Sequence, residues 1–246
     1  MKVYFVGAGP GDPDLITVKG KELLERADLV IYADSLVNPE LLKWAKRGAE
    51  LVESNGMELG EIVSLMAEAY RAGRTVVRLV SGDPSLYSAV NEQAEMLDRL
   101  GIPWEIVPGV SSLSAAAAAI GLELTCPGLS QAVVLARMGG KTPLPSRFQL
   151  RHVVHPRATH AIFLSASMSE ELKEELLAAG LDPATPAAAV MKASWRDEKK
   201  IFTCLSELPA ALKEAGMDRH TLILVGEVLS EEKRRNRRSY LYSKKA

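Results

Sequence analysis

The chain of 246 residues has little of what marks several protein classes. It has two cysteines, Cys126 and Cys204, without paired spacing, so neither a disulfide framework nor a zinc ribbon is indicated. Its apolar runs, such as residues 115–119, are far too short to cross a bilayer, and its first residues read as a strand instead of a signal sequence. The net charge of −1 gives the whole protein no affinity for polyanions. We expect a reduced, cytoplasmic protein.

The first half alternates short β-branched runs with helix-like segments. This alternation predicts an α/β domain with a mostly parallel sheet. The predicted strands are residues 3–6, 29–32, 75–80 and 104–107, and the predicted helices are residues 14–26, 39–46, 60–72 and 88–100.

The second half has more strands and fewer helices, which favours a separate, mixed α+β domain. We place the boundary near residues 115–125 and predict domains at 1–116 and 117–246. The predicted strands are residues 132–136, 161–165, 187–191, 201–204, 221–228 and 240–242, and the predicted helices are residues 169–179 and 208–215.

The opening loop VGAGPGDP looks like a dinucleotide loop but breaks its pattern. The fingerprint G-x-G-x-x-G fits Gly7 and Gly9, and then Asp12 stands where the third glycine belongs. A carboxylate there would repel a pyrophosphate, and Pro10 has no N–H to offer. Asp34, after the second strand, only superficially resembles the acidic ribose ligand of an NAD protein. The pattern therefore argues against a phosphate-binding loop.

Two further strands end in special loops, SGDPSLY after residue 80 and VPGVSS after residue 106. Ligands of parallel sheets bind outside the carboxyl ends of the strands, so we expect the three loops to converge on one crevice. Gly82 allows close backbone approach, Asp83 offers an acceptor, and Ser111 and Ser112 offer hydroxyls. Alternatively, Asp83 with its proline merely caps a following helix.

These motifs, with ADLVIYADSLV and KASWRDEK, resemble the tetrapyrrole methyltransferases of cobalamin biosynthesis over nearly the whole chain. Within that family they are most similar to the enzymes that methylate C11 of precorrin-4 or cobalt-precorrin-4. The resemblance implies a two-domain fold with S-adenosylmethionine in the cleft between the domains. It also implies a homodimer in the cytoplasm.

The resemblance further implies which residues contact the cofactor. Pro10 would lie at the floor of the cleft, and the remaining positions follow the strand ends of both domains. The implied cofactor-binding residues are Pro10, Ser81, Gly82, Asp83, Leu86, Ser111, Ser112, Leu164 and Ala193.

A one-sided charge pattern indicates where an anionic tetrapyrrole would bind. No Asp or Glu stands between Glu123 and Glu170, whereas basic residues recur there. Such a segment creates a local positive field, and arginine pairs with carboxylates in a two-pronged geometry. An ordinary basic surface loop is the alternative. The candidate substrate-binding residues are Arg137, Lys141, Arg147 and Arg151.

Three further assignments concern single features. Asp34, at the end of its strand, is the candidate catalytic base. His152 and His155 have no Cys or carboxylate beside them in sequence, so no metal site is predicted. The basic run at residues 233–238 follows two glutamates and has no interleaved aromatics, which favours a solvated turn over a nucleic-acid contact.

Other functions stay open at the level of sequence. Related enzymes would methylate another ring carbon, an RNA or a protein side chain. A nucleotide-dependent oxidoreductase is a different class, against which Asp12 argues. A non-catalytic tetrapyrrole-binding protein would use the basic segment alone and leave the convergent loops without a role. No nucleic-acid or membrane partner is expected.

Overall fold

The computed structural model describes residues 2–33, 35–140, 142–235, 237 and 239. The chain divides into two compact units, each with its own sheet. Unit 1 comprises Met1–Ala115 and Ser194–Arg196, and unit 2 comprises Ala116–Ala193 and Asp197–Ala246.

Unit 1 contains a five-stranded sheet in the order β3-β2-β4-β1-β5, with every pairing parallel. The predicted parallel sheet is therefore confirmed. The strands are β1 (Val3–Gly7), β2 (Leu29–Tyr32), β3 (Glu50–Glu53), β4 (Val76–Val80) and β5 (Trp104–Val107).

Helices cover both faces of this sheet, as a parallel sheet with apolar strands requires. On one face Phe5 belongs to a buried cluster with Met66 and Leu97, and on the other Val6 belongs to a cluster with Leu24. The helices are α1 (Val18–Leu24), α2 (Leu59–Arg71) and α3 (Val90–Arg99). A fourth helix, α4 (Ser112–Ala119), crosses the boundary between the units in sequence.

Unit 2 contains a second five-stranded sheet, in the order β6-β7-β10-β8-β9. Only β6 and β7 pair in parallel, and the other pairings are antiparallel, which confirms the predicted mixed domain. The strands are β6 (Val133–Arg137), β7 (Thr159–Phe163), β8 (Pro186–Met191), β9 (Lys199–Cys204) and β10 (Thr221–Val225).

The helices of unit 2 complete its core. Leu172 and Leu176 of one helix and Leu212 of another are buried in one cluster with Ile162 and Ile223 of the sheet. The helices are α5 (Leu150–Val153), α6 (Ser169–Ala178), α7 (Leu208–Ala215) and α8 (Glu231–Arg234).

Several predicted boundaries were wrong for local reasons. The predicted helix at 14–26 is divided into a 3-10 turn, Pro13–Leu15, and α1, because Asp12 and Thr17 each cap a separate start. The predicted helix at 39–46 is a 3-10 helix, Pro39–Trp44. Strand β3 was missed because its two glutamates obscure the apolar pattern of an exposed edge strand.

In unit 2 the last predicted strands also differ. Strand β10 ends at Val225, and a 3-10 turn, Glu227–Leu229, follows Gly226. The predicted strand at 240–242 lies outside the described residues. Among the described residues, none of the helices combines the length and the apolar character that a bilayer-spanning segment needs.

Candidate functional site

Three glycines bring the strand-end loops of unit 1 into main-chain contact. A Cβ atom on Gly109 would lie 2.2 Å from the carbonyl oxygen of Gly82 and 2.7 Å from the Cα of Gly7. A Cβ on Gly7 would lie 2.5 Å from the Cα of Gly109. Real Cβ atoms do not approach that closely, so positions 7 and 109 require glycine. The predicted convergence of the loops after β1, β4 and β5 is confirmed.

Hydrogen bonds fasten the first two of these loops to each other. Gly9 and Gly82 form an isolated antiparallel bridge, with N–H to oxygen distances of 3.2 and 2.9 Å. The N–H of Ala8 donates to the carbonyl of Val80 at 2.7 Å. Gly82 has a φ of +64°, in the left-handed region that glycine adopts without strain.

Asp83 fastens the second loop to the third. Its Oδ2 accepts the Gly109 N–H at 2.9 Å, and its Oδ1 accepts the Ser85 N–H at 2.8 Å. Burial raises the pKa of this carboxyl. The hydrogen bonds from the Ser85 hydroxyl and from the N–H groups of Gly109 and Ser85 lower it by more in sum, so the pKa is below its ordinary value. The ionised Asp83 carboxylate therefore links the second loop to the third, in addition to capping the turn at Ser85.

Three N–H groups of the opening loop, which could otherwise bind a phosphate, already donate hydrogen bonds within the protein. Gly9 N–H donates to Gly82, Asp12 N–H donates to the Oγ of Ser194 at 3.0 Å, and Asp14 N–H donates to the Asp12 carboxylate at 2.9 Å. The Asp12 carboxylate thereby occupies the start of the 3-10 turn, where an anion would otherwise bind. These contacts agree with the prediction that the loop is not a phosphate cradle.

An indole ring covers the middle of the opening loop. The Nε1–H of Trp195 donates to the carbonyl of Pro10 at 2.8 Å, and a Cβ on Gly11 would lie 2.0 Å from the Cδ1 of that ring. Asn38, which is buried, donates from Nδ2 to the carbonyl of Gly11 at 2.9 Å. In the sequence, Trp195 stands out only within the motif KASWRDEK, and no local signal shows that this residue contacts a loop 185 positions earlier.

The other predicted cofactor residues of unit 1 lie on the same three loops. Ser81 precedes Gly82, and Leu86 donates its N–H to the carbonyl of Asp83 at 3.2 Å. The hydroxyl of Ser111 accepts the Leu113 N–H at 3.2 Å in the first turn of α4, which Ser112 begins.

Unit 2 brings its predicted site residues to one edge of its sheet. Strands β6, β7 and β8 run in the same direction, because β7 and β8 are both antiparallel to β10. Arg137 is the last residue of β6, Leu164 follows β7, and Ala193 follows β8 by two residues. The carboxyl ends of these three strands therefore place Arg137, Leu164 and Ala193 along a common edge.

Three residues with side chains at this edge have a left-handed backbone conformation. Leu164 has a φ of +54°, Lys192 a φ of +49°, and His220, at the start of β10, a φ of +52°. The Lys192 N–H donates to the carbonyl of His220 at 2.8 Å. Leu164 is also 63% exposed, which is high for a leucine. Strained backbone with an exposed apolar side chain is typical of a ligand-contacting surface.

The predicted substrate-binding arginines have different surroundings. Arg151 pairs with Glu175, with Nε to Oε2 at 3.1 Å, and the hydrogen bond to this carboxylate raises the pKa of the guanidinium. Arg137 donates to the carbonyls of Met138 and Thr142, each at 3.0 Å. Arg147 is exposed, with its guanidinium carbon 5.0 Å from the Phe148 ring centroid. Among the residues that the structure describes, Arg151 is the one of these three with a carboxylate partner, so the positive field of the segment is not uniform.

The histidines of this segment have structural bonds. His160 is fully buried, its Nε2 accepts the His155 N–H at 3.2 Å, and its Nδ1 lies 3.2 Å from the carbonyl of Val225. The first bond makes Nε2 the acceptor, so Nδ1 carries the proton. His155 in turn accepts the Arg157 N–H at 3.1 Å through Nδ1.

The basic C-terminal run also bonds within the chain. Arg237 donates through Nε to the carbonyl of Lys233 at 2.8 Å and through a second nitrogen to the carbonyl of Gly128. Arg235 lies 3.4 Å from Glu231. Two predicted site residues, the candidate base Asp34 and the candidate substrate ligand Lys141, lie outside the described residues.

Comparison with known proteins agrees with this arrangement. Residues 2–209 match the family model of tetrapyrrole (corrin/porphyrin) methylases. A cobalt-precorrin-4 C(11)-methyltransferase from Methanocaldococcus jannaschii is 47% identical over 243 residues, which cover 99% of this chain and 92% of that protein.

Solved structures show the same fold. The X-ray structure of a cobalt precorrin-4 methyltransferase of cobalamin biosynthesis superposes with a TM-score of 0.90 at 45% identity, covering 93% of this chain and 96% of that one. A uroporphyrin-III C-methyltransferase from Thermus thermophilus, complexed with S-adenosylhomocysteine, gives a TM-score of 0.80 at 34% identity, covering 93% and 99%. The chain belongs to the tetrapyrrole (corrin/porphyrin) methylase family.

Proposed function

We propose that the protein transfers a methyl group from S-adenosylmethionine to C11 of precorrin-4 or cobalt-precorrin-4 during formation of the corrin ring. The observation that carries the proposal is the glycine-to-glycine contact that joins the loops after β1, β4 and β5. It gives this methylase chain a dense main-chain surface at the carboxyl edge of a parallel sheet, where ligands of such sheets bind. The name of the Methanocaldococcus relative supplies the ring position.

The residues present suit this cofactor better than they suit a dinucleotide. Ser81, Gly82, Leu86, Ser111 and Ser112 would contact it with small polar and apolar groups, while the opening loop offers no phosphate cradle. Asp83 keeps its negative charge at neutral pH, which favours a cationic sulfonium near the same loop.

Three positions complete the proposed binding set. Pro10 would support the cofactor from the opening loop, and Leu164 and Ala193 would contact its adenosine part from the edge of the second sheet. Leu164 suits that role because its exposed side chain offers an apolar surface for a flat base. The cleft between the domains stays a prediction.

When bound, S-adenosylmethionine supplies a methyl group on a positively charged sulfur, which a nucleophilic ring carbon takes up as the sulfur leaves as a neutral thioether. The protein's own task is then to align the reactants and exclude water. Asp34 is our proposed base for the proton that the substituted macrocycle gives up. Asp34→Ala should lower turnover and leave affinity for S-adenosylhomocysteine intact, and unchanged turnover would exclude this role.

The substrate's carboxylates would meet the basic segment of unit 2. We assign the direct contact first to Arg147 and Lys141, and expect Arg137 to contribute from the end of β6. Arg151 would contribute less, because Glu175 already satisfies its guanidinium. Arginine pairs well with carboxylates because its planar nitrogens match their two oxygens.

We also propose a homodimer that works in the cytoplasm, as the resemblance implies. Light scattering on the purified protein should give twice the chain mass of 26.7 kDa. A mass of one chain at micromolar concentration would contradict the dimer.

Product analysis tests the activity. The protein is incubated with S-adenosylmethionine carrying a ¹³C methyl group and with either cobalt-precorrin-4 or metal-free precorrin-4. We expect a product heavier by one methyl group, with the label on C11 by NMR. Label on another ring carbon would contradict the C11 assignment, and no transfer to either tetrapyrrole would contradict the activity. The faster of the two reactions identifies the substrate form.

A further inference from the structure

The segment Ser194–Arg196 has a peculiar place in the chain. It connects β8 to β9, which are neighbours in the sheet of unit 2, yet it packs as part of unit 1. The chain therefore leaves unit 2 directly after Ala193 and returns at Asp197. Ala193 is one of the residues that we propose for the adenosine contact.

Three consecutive side chains of this segment bond to unit 1. Trp195 donates to the carbonyl of Pro10 at 2.8 Å, and its ring lies where a side chain on Gly11 would be. The hydroxyl of Ser194 accepts the N–H of Asp12 at 3.0 Å. Arg196 reaches Glu40 with two nitrogens, each at 3.2 Å. We call Ser194–Arg196 the clasp.

The backbone around Ala193 is strained on both sides. Lys192 has a φ of +49° and Ser194 a φ of +69°, in the left-handed region that side chains other than glycine rarely adopt. Such conformations persist only where the surrounding contacts hold them. The clasp supplies those contacts after Ala193, and the hydrogen bond from Lys192 to His220 supplies them before it. If the clasp is weakened, residues 192–194 can relax to negative φ values and displace Ala193.

We infer that the clasp is a positioning element of the cofactor site, in which Trp195 sets both the opening loop at Pro10 and the backbone of Ala193. Trp195 is a positioning residue and not a catalytic one, because its polar atom bonds to Pro10. The inference rests on the proposed function, since it concerns the affinity for S-adenosylmethionine.

Another tryptophan of the chain provides a matched control. Trp104, at the start of β5, also donates from Nε1 at 2.8 Å, to Asp98, and stacks edge-on against Phe5. It lies at the amino end of the parallel sheet, opposite the loops. Trp195→Phe and Trp104→Phe therefore each remove one indole N–H hydrogen bond, to the Pro10 carbonyl and to the Asp98 carboxylate respectively, and each keep an aromatic ring. They differ in whether the indole contacts the loops of the proposed site.

Calorimetric titration with S-adenosylhomocysteine, together with thermal unfolding, tests the inference. For W195F we expect the Kd to rise about tenfold, the cost of one good hydrogen bond, with a raised KM for S-adenosylmethionine and kcat preserved at saturation. For W104F we expect an unchanged Kd despite a similar loss of melting temperature. Ser194→Ala keeps the indole and removes the hydroxyl that accepts the Asp12 N–H, so the Kd of this variant should rise about threefold.

The outcomes separate the two proposals. A Kd within twofold of the unsubstituted protein for both W195F and S194A would overturn the positioning role, as would an equal rise in W104F. If W195F does not fold, S194A decides alone. Absence of S-adenosylhomocysteine binding by the unsubstituted protein would instead contradict the proposed function, and the inference with it.

Discussion

The loops at the carboxyl edge of the first sheet pack main chain against main chain, whereas the corresponding edge of the second sheet has residues with side chains in left-handed conformations. In unit 1, Gly7, Gly82 and Gly109 meet without side chains between them. In unit 2, Leu164 and Lys192 adopt left-handed conformations that their side chains disfavour. Added side-chain volume at the first edge should therefore destabilise the fold. Substitutions at the second edge should leave the protein folded and change its affinity for the cofactor.

Gly109→Ala should have the largest effect. The new Cβ would lie 2.2 Å from the Gly82 carbonyl oxygen, and main-chain atoms cannot move aside cheaply. We expect the free energy of unfolding in urea to fall by about 3 kcal/mol or more. Gly60→Ala is the matched control, because its Cβ would meet nothing within 4 Å in α2 and should add about 0.5 kcal/mol. A G109A protein as stable as the unsubstituted one would contradict the close packing of these loops.

Asp83→Asn should come next. The amide has one acceptor oxygen for the two N–H groups of Gly109 and Ser85, so one donor is left facing an NH₂ group. We expect a loss of about 1–3 kcal/mol in unfolding free energy at pH 7. The half-buried Glu105, which pairs with Lys2 at 3.1 Å and also with Lys19, gives the control Glu105→Gln, with a loss of about 1 kcal/mol or less.

The stability that Asp83 contributes should depend on pH. Because its folded pKa is lowered, the stability it contributes is present above the unfolded value of about 3.9 and is lost as pH falls through the folded pKa. The difference between the unsubstituted protein and D83N should therefore shrink in strong acid. A stability difference that stays constant with pH would show that the charge of Asp83 does not contribute to the link between the two loops.

His160 should make unit 2 sensitive in milder acid. Burial lowers its folded pKa, although bonds with Val225 and His155 raise it in part. Folded His160 stays neutral where the unfolded residue, with a pKa of about 6.5, takes up a proton, so stability is lost as pH falls below about 6.5. The slope for this one proton is at most about 1.4 kcal/mol per pH unit. His160→Gln should remove that slope and the exposed His152→Gln should retain it, by urea unfolding between pH 5 and 8.

The smallest effects concern the arginines of the basic segment. Arg147→Gln should raise the KM for the tetrapyrrole roughly threefold to fivefold, about what one partly exposed ion pair contributes. Arg151→Gln should change the KM less and lower stability by less than about 1 kcal/mol, because it breaks the pair with Glu175. A larger KM effect in R151Q would reverse our ranking of the two residues.

Sequence periodicity located four of the five strands of the first sheet and all five strands of the second, because apolar runs such as those of β1 and β4 stand out from the helix-like segments between them. It missed the exposed edge strand β3, whose glutamates obscure the pattern. It failed where local caps decide, as at Asp12 and Thr17, which divide one predicted helix into two starts. The three-loop convergence was predictable from glycine and proline signals at strand ends.

The rest of the site could not be predicted from local patterns. The packing of Trp195 on Gly11 joins residues 184 positions apart, and the pairing of Arg151 with Glu175 removes one charge from a segment that has no acid of its own. Left-handed Leu164 and Lys192 carry no sequence signal, because neither residue type prefers that conformation.

The most direct test of the central claim is a calorimetric titration of the protein with S-adenosylhomocysteine, with NAD as the parallel ligand. We predict one molecule of S-adenosylhomocysteine bound per chain and no heat with NAD, because the N–H groups of Gly9, Asp12 and Asp14 already donate to Gly82, Ser194 and the Asp12 carboxylate. Heat with NAD and none with S-adenosylhomocysteine would contradict it.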